Sequence, residues 1–159
     1  MKSLIKMALV AVVAGVGFVA SADEFIYGLA KEAALSQAKV GAKRTSDKYQ
    51  LLSVAKELDG KPMVTVKRGL GHKPGAGFSF KIKKPATVYL LVHNRGKINL
   101  PKGWVKTKLK SSWKASGTKF TDTVYKKDFK PGVVVIPPHT GMESKSSRGI
   151  PSAAVVVTK

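Results

Sequence analysis

Residues 77–94 read GFSFKIKKPATVYLLVHN, and the two halves behave as two different strands. Phe78, Phe80 and Ile82 alternate with Ser79 and Lys81, the period-two pattern of a strand with one wet face. Lys83-Lys84-Pro85 ends that run. Thr87 to Val92 is then apolar on both phases, which predicts a central strand, or one whose second face the N-terminal segment covers. Working outward, similar runs occupy Tyr49–Lys56, Met63–Arg68, Trp104–Lys110, Phe120–Lys127, Val133–Ile136 and Ala153–Thr158. With Gly77–Lys83 and Ala86–Asn94 they make about eight strands. Turn signals separate them at Asp59-Gly60-Lys61-Pro62, Gly71 to Gly77, Asn94-Arg95-Gly96, Lys130-Pro131-Gly132 and Pro137-Pro138. No crossover helices lie between, so a parallel α/β fold is disfavoured. The expected fold is all-β, an antiparallel, jelly-roll-like β-sandwich over residues 49–159.

The segments before that domain differ from it. Lys2 and Lys6 precede an apolar stretch from Met7 to Ala20, and Ala20-Ser21-Ala22 fits a small-x-small cleavage site. Residues 1–22 therefore read as a secretory signal peptide, which implies an exported protein, periplasmic or extracellular. The apolar run is too short for a membrane anchor, which needs about 20 residues, and no other long apolar run follows. Residues 23–48 form an N-terminal extension, helical or irregular. Phe25, Leu29, Ala33 and Leu35 mark a weak helical stripe that Gly41 would end. That apolar face is thin, which favours a loosely ordered extension over a membrane-touching one.

Composition narrows the chemistry. The chain has 159 residues, 29 Lys+Arg against 9 Asp+Glu, a net charge of +20 and no cysteine. Disulfides, thiol catalysis and Cys-ligated metals are excluded. Nine carboxylates make an acid-rich metal cage improbable, and no cofactor is implied. His72, His93 and His139 are not at metal-ligand spacing and read as locally bonded histidines. Asp122 and Asp128 are the only acids of the C-terminal half apart from Glu143 and show no catalytic constellation. No serine nucleophile elbow is present, and Ser144, Ser146 and Ser147 lie in a polar loop. The glycines at 69, 71, 75 and 77 lack the phosphate-loop ending and precede a strand, so they read as a mobile loop.

Charge and aromatic residues carry the functional signal. The positive charge draws the protein to polyanions. Trp104 and Trp113 bracket Lys106, Lys108 and Lys110, and Trp104 shares the lysines' phase. An exposed Trp beside cations can stack on a sugar ring or base, although Trp104 capping the core edge above a solvated lysine face is the favoured reading. Tyr89 and His93 are four apart on one strand face, and Arg95 has the fork that fits carboxylate or sulfate. The candidate ligand-binding residues are therefore Trp104, Trp113, Tyr89, His93, Arg95, Lys106, Lys108 and Lys110, with no catalytic and no metal residue assigned.

Leu58-Asp59-Gly60, Phe78-Ser79-Phe80 leading to Thr87-Val88-Tyr89-Leu90, Leu100-Pro101-x-Gly-Trp104, and Asp128 to Val134 (DFKPGVV) form a further pattern. It resembles small β-sandwich accessory domains of secreted bacterial carbohydrate-active proteins, over about Tyr49 to Val157. The resemblance implies a jelly-roll-like sandwich with a non-catalytic binding role, and it transfers no catalytic residue. The expected function is binding of an anionic polymer, an acidic or sulfated polysaccharide first, with nonspecific nucleic-acid binding as a by-product of charge. The alternatives are an envelope structural or interaction protein with a basic surface and, less favoured, a small polysaccharide lyase or hydrolase using His93, Tyr89 and Arg95.

Overall fold

The computed structural model describes residues 24–71, 73–95, 100–139 and 149–159. The leader reading, His72 and the serines at 144, 146 and 147 lie outside them. The described residues form ten strands: β1 (Ile26–Tyr27), β2 (Ala33–Gln37), β3 (Gln50–Ser53), β4 (Pro62–Val66), β5 (Phe78–Ile82), β6 (Ala86–His93), β7 (Val105–Ala115), β8 (Thr118–Phe129), β9 (Gly132–Ile136) and β10 (Ala153–Thr158). They build two antiparallel sheets, a small one in the order β1-β5-β9 and a large one in the order β2-β4-β10-β6-β8-β7-β3. The expected sandwich is present, and each of the eight strand runs read from the sequence contains a strand.

The apolar patterns explain the layering. Phe78, Phe80 and Ile82 of β5 point inward with Val134 and Ile136 of β9 and meet Val64, Val88, Leu90 and Val156 of the large sheet. β6 is buried on both faces, as its unbroken apolar run requires. Its second face, with Leu91, joins Met63, Val124, Val155 and Trp113 in another core. Ala38, Leu51 and Leu58 cover that face. The cover comes from the chain between β2 and β4, folded back by hydrogen bonds from Ala38 N to Lys61 O (2.8 Å) and from Leu51 N to Ala42 O (2.9 Å).

The N-terminal segment corrects one expectation. Residues 23–48 were expected to be helical or irregular, but they supply β1 and β2. The helical stripe fails at Gly28, whose φ of 61° leaves the helical region. β2 pairs along all five residues of β4 and sets Leu35 opposite Val64. Every residue of β4 is buried, so without β2 its edge would stand open as an apolar template for another chain.

A second correction concerns the Gly-rich stretch before β5, expected as a mobile loop. It is pinned. Gly75 and His139 exchange backbone hydrogen bonds of 3.1 and 2.9 Å, and a Cβ on Gly75 would lie 2.5 Å from the Ile150 carbonyl oxygen. Gly75→Ala must therefore displace backbone, and overpacking of this kind costs about 1–3 kcal/mol. The urea midpoint of this variant should fall accordingly; an unchanged midpoint would mean the 149–150 segment yields freely.

The hairpin of β7 and β8 turns at Ser116-Gly117, with φ of 47° and 77°, the positive pair that a tight two-residue connection demands. The expected strands stopped at Lys110 and began at Phe120, so both run longer than read and form one long basic ribbon.

Candidate functional site

The ribbon separates the expected ligand-binding residues into two groups. At its open end Trp104 shares the lysines' side, but its ring packs on Phe129 (5.9 Å) at the edge of the inter-sheet core and is half-buried. Lys106, Lys108 and Lys110 are exposed. The pairs Lys106 with Tyr125, Lys110 with Thr123 and Lys114 with Lys119 place Lys106, Lys110, Lys114, Lys119 and Lys127 on one face. Val105, Thr107 and Leu109 alternate with the lysines, a one-sided pattern that implies a buried phase, yet at this end that phase is open: Val105 is 57% exposed. The covering segment reaches only the hairpin's other half, which is why the alternation misleads here. Tyr89 is half-buried on β6.

At the closed end stand His93, Arg95 and Trp113. His93 and Trp113 are buried and Arg95 is exposed. Trp113 is wedged between Tyr49 (5.2 Å) and Phe120 (4.7 Å). His93 meets both Trp113 and Phe120 edge-on, at 5.2 and 5.3 Å. Arg95 lies 4.9 Å above the Phe120 ring.

A buried ion pair holds this aromatic cluster in place. Arg44 donates from Nε (3.0 Å) and Nη2 (3.0 Å) to the two carboxylate oxygens of Asp122, and from Nη1 and Nη2 to the carbonyls of Pro151 and Leu91. Asp122 also accepts from Ser111 Oγ (2.8 Å) and from Trp113 Nε1 (3.1 Å). The carboxylate thus has four donors, the saturation a buried charge requires. From the sequence, Arg44 has no assigned role and Asp122 no catalytic one; the two are 78 positions apart. The strand around Asp122, TKFTDTVYKKDF, is mixed polar and apolar, so no local pattern announced a buried carboxylate there.

His93 and His139 stack at 6.3 Å, and His139 Nε2 donates to the His93 carbonyl (3.1 Å). Both ring nitrogens of His93 and Nδ1 of His139 have no hydrogen-bond partner among the described residues. Burial pushes the His93 pKa down to about 4 and lowers that of His139. Asp122 opposes the fall, while Arg44, Arg95 and the facing histidine deepen it for His93.

A cleft of ≈ 270 Å³ opens beside the cluster, walled by Tyr49, Arg68, Trp113, Phe120 and the hairpin residues Ser116 and Thr118. Tyr49 enters it in a left-handed conformation (φ 64°), which bulky residues rarely adopt. Its hydroxyl pKa is raised, chiefly by burial. The turn at 45–48 fixes that conformation: Thr45 N bonds Lys48 O at 3.1 Å, and Asp47 accepts from Thr45 Oγ1 (2.9 Å) and from Arg68 N (3.1 Å). Nothing in composition pointed to Tyr49 or Arg68, because the turn and two distant strands bring them together.

The same fold recurs inside two glycoside hydrolases. A β-glucuronidase from glycoside hydrolase family 2 superposes with a TM-score of 0.58 over 83% of this chain, at 15% identity. A GH138 enzyme targeting pectin rhamnogalacturonan II superposes with a TM-score of 0.51 over 82% of this chain, at 14% identity. The chain spans only 14% and 16% of those two proteins. At such identity the likeness is one of fold. No family model matches the sequence, and no curated protein matches it.

Geometry also bears on the hydrolytic and lyase readings. Asp122 and Asp128 are six residues apart on one strand, about 20 Å, beyond the roughly 5–10 Å of a glycosidase pair. Asp122 is buried against Arg44, and Asp128 is exposed, bridged to Lys159 at 2.6 Å. His93 lies behind Trp113 and Phe120, and Tyr89 is four residues down the strand. Among the described residues no group of His, Asp and Glu could hold a metal ion, and no helix is long and apolar enough to cross a membrane.

Proposed function

We propose that this chain is an exported, non-catalytic β-sandwich that binds an anionic polymer, an acidic or sulfated polysaccharide, along the β7–β8 ribbon. The observation that carries the reading is the lysine face of that ribbon. Lys114 stands directly across from Lys119. Like charges at opposed positions destabilise a sheet, so the arrangement gains stability when an anion lies across it. Asp128, the one acid of the ribbon beside Asp122, belongs to the other phase and is already bridged to Lys159. The fold neighbours give weaker support: both are named for work on glycans, one on glucuronides and one on a pectin.

Lys106→Glu combined with Lys108→Glu tests the reading. Binding to polygalacturonate at low salt should weaken at least tenfold. The slope of log affinity against log salt should fall by about two, one per cation removed. Unchanged binding would remove the ribbon from the interface.

A second reading has its own observation. Val133 and Val135 of the edge strand β9 are 56% and 60% exposed on the outer face of the small sheet, near Tyr27. An envelope interaction protein would use such an apolar edge against a partner. High salt would then release the protein from cell envelopes with no glycan preference.

A further inference from the structure

The two sheets leave four strands at an edge: β1 and β9 in the small sheet, β2 and β3 in the large one. Three of these edges are short, covered or half-buried. β1 has two residues. β3 is backed by residues 41–43, with Gly41 N donating to Leu51 O (2.9 Å) and a bridge between Lys43 and Gln50. β2 is half-buried along its whole length. β9 differs from all three. Among the described residues it pairs with β5 alone. Its five residues, Gly132 to Ile136, carry no charge, and Val133 and Val135 are 56% and 60% exposed. Proteins commonly blunt an edge with charge or cover, because its outward N–H and C=O groups are a template for another strand. Lys130-Pro131 and Pro137-Pro138 close β9 at both ends, so the template is confined to those five residues.

The surroundings of this edge define what fits along it. β1 leads through residues 28–32 into β2, at the far edge of the large sheet, whereas β9 follows β8 after only Lys130 and Pro131. The free edge of β9 therefore faces the ribbon. Two rows of the large sheet mark where the small sheet's cover ends. Leu90, Tyr125 and Lys106 pair across β6, β8 and β7 and pass from buried to half-buried to exposed; Val92, Thr123 and Lys110 repeat the series. A strand added to β9 would lie over this lysine face at the spacing of stacked sheets, about 10 Å. We infer that the free edge of β9 docks an extended acidic peptide segment of a partner protein, which joins the small sheet as a further strand. The inference rests on the interaction reading above, to which it gives an occupant, and is independent of the polysaccharide reading. Main-chain bonds to β9 supply affinity, and the alternate side chains of the peptide supply specificity. Side chains on the outer face meet Val133 and Val135 and are apolar; those on the inner face meet Lys106 and Lys110 and are acidic. A second copy of this chain fits poorly, because a net charge of +20 repels itself and Lys81, paired with Val133, would bring like charges together across the join.

The test titrates the purified chain with a short end-capped peptide alternating Glu and Val, followed by NMR and amide exchange. The backbone amides of residues 132–136 should shift, and alternate ones should exchange at least tenfold more slowly at saturation. A peptide alternating Lys and Val, and the Glu–Val peptide with proline at its centre, should each bind at least tenfold more weakly, since the first has the wrong charge and the second cannot complete the ladder. Val133→Lys with Val135→Lys, both at exposed positions, should weaken binding at least tenfold, and so should Lys106→Glu with Lys110→Glu. Lys56→Glu, in the segment that covers the other face of the large sheet, should not. Amide dispersion in the same spectra reports whether each variant is folded. Absence of a shift in β9, or equal binding of the proline peptide, overturns the edge site and leaves the interaction reading to its own test of release by high salt. A dimer in sedimentation velocity that the two valine substitutions dissolve would seat a second copy on the edge and likewise overturn the peptide.

Discussion

Asp122→Ala should cost about 3–5 kcal/mol of stability, the toll for breaking one side of a buried ion pair. For a chain of this length that lowers Tm by roughly 10 °C or more. The substitution orphans the Nε and Nη2 donors of Arg44, Ser111 Oγ and Trp113 Nε1 at one stroke. It leaves the Arg44 guanidinium enclosed without a counter-charge. Arg44→Met with Asp122→Leu removes both charges, and the double variant should be less destabilised than the sum of its single variants by about 1–3 kcal/mol. Additive losses in a double-mutant cycle would show that the two side chains act independently. Because Asp122 also holds the Trp113 indole, the Asp122 variant should loosen the packing of Tyr49 and Phe120 on that ring.

Lowering pH from 6.5 to 4 should destabilise the protein through its buried histidines. The sign follows from the direction of the shift. The folded chain keeps His93 neutral down to about pH 4, whereas the unfolded chain takes up that proton near 6.5. Stability is therefore complete above pH 6.5 and declines as pH falls toward the folded value. The slope is about 1.4 kcal/mol per pH unit for one proton, or about 3 kcal/mol over the window for His93. His139 acts in the same direction, since burial lowers its pKa too. Asp47 and Asp128 have pKa values below 3.8, so their contribution is lost at lower pH and the two windows separate. His93→Leu should remove about one proton from the slope, as read by urea melts at pH 7, 5.5 and 4.5. An unaltered slope would place the linked proton elsewhere.

The sheets were legible because their patterns are local. Phe78, Phe80 and Ile82 announce a one-sided strand, and Thr87 to Val92 announces a central one. The N-terminal strands were not, because Ala33–Gln37 has little β-propensity of its own and becomes a strand only by pairing with β4. Of the site, the lysines and Trp104 could be read from alternation, since residues of one strand share a face. Tyr49, Arg68 and the Arg44–Asp122 pair could not. Arg44 and Asp122 are 78 positions apart, and Tyr49 meets Trp113 only after the covering segment folds over the large sheet. The basic composition motivates the proposed polyanion partner, whereas the rings under Arg44, Arg68 and Arg95 come together only in the fold.

The most direct measurement is calorimetric titration of the purified chain with polygalacturonate, heparin, a neutral glucan and double-stranded DNA, at low salt and at ~150 mM NaCl. The account predicts that binding to the uronate polymer survives ~150 mM salt while binding to DNA falls steeply, because charge alone is screened there and direct contacts to a sugar are not. Equal affinity for every polyanion, lost together as salt rises, would contradict it and leave a protein that reads charge and nothing more.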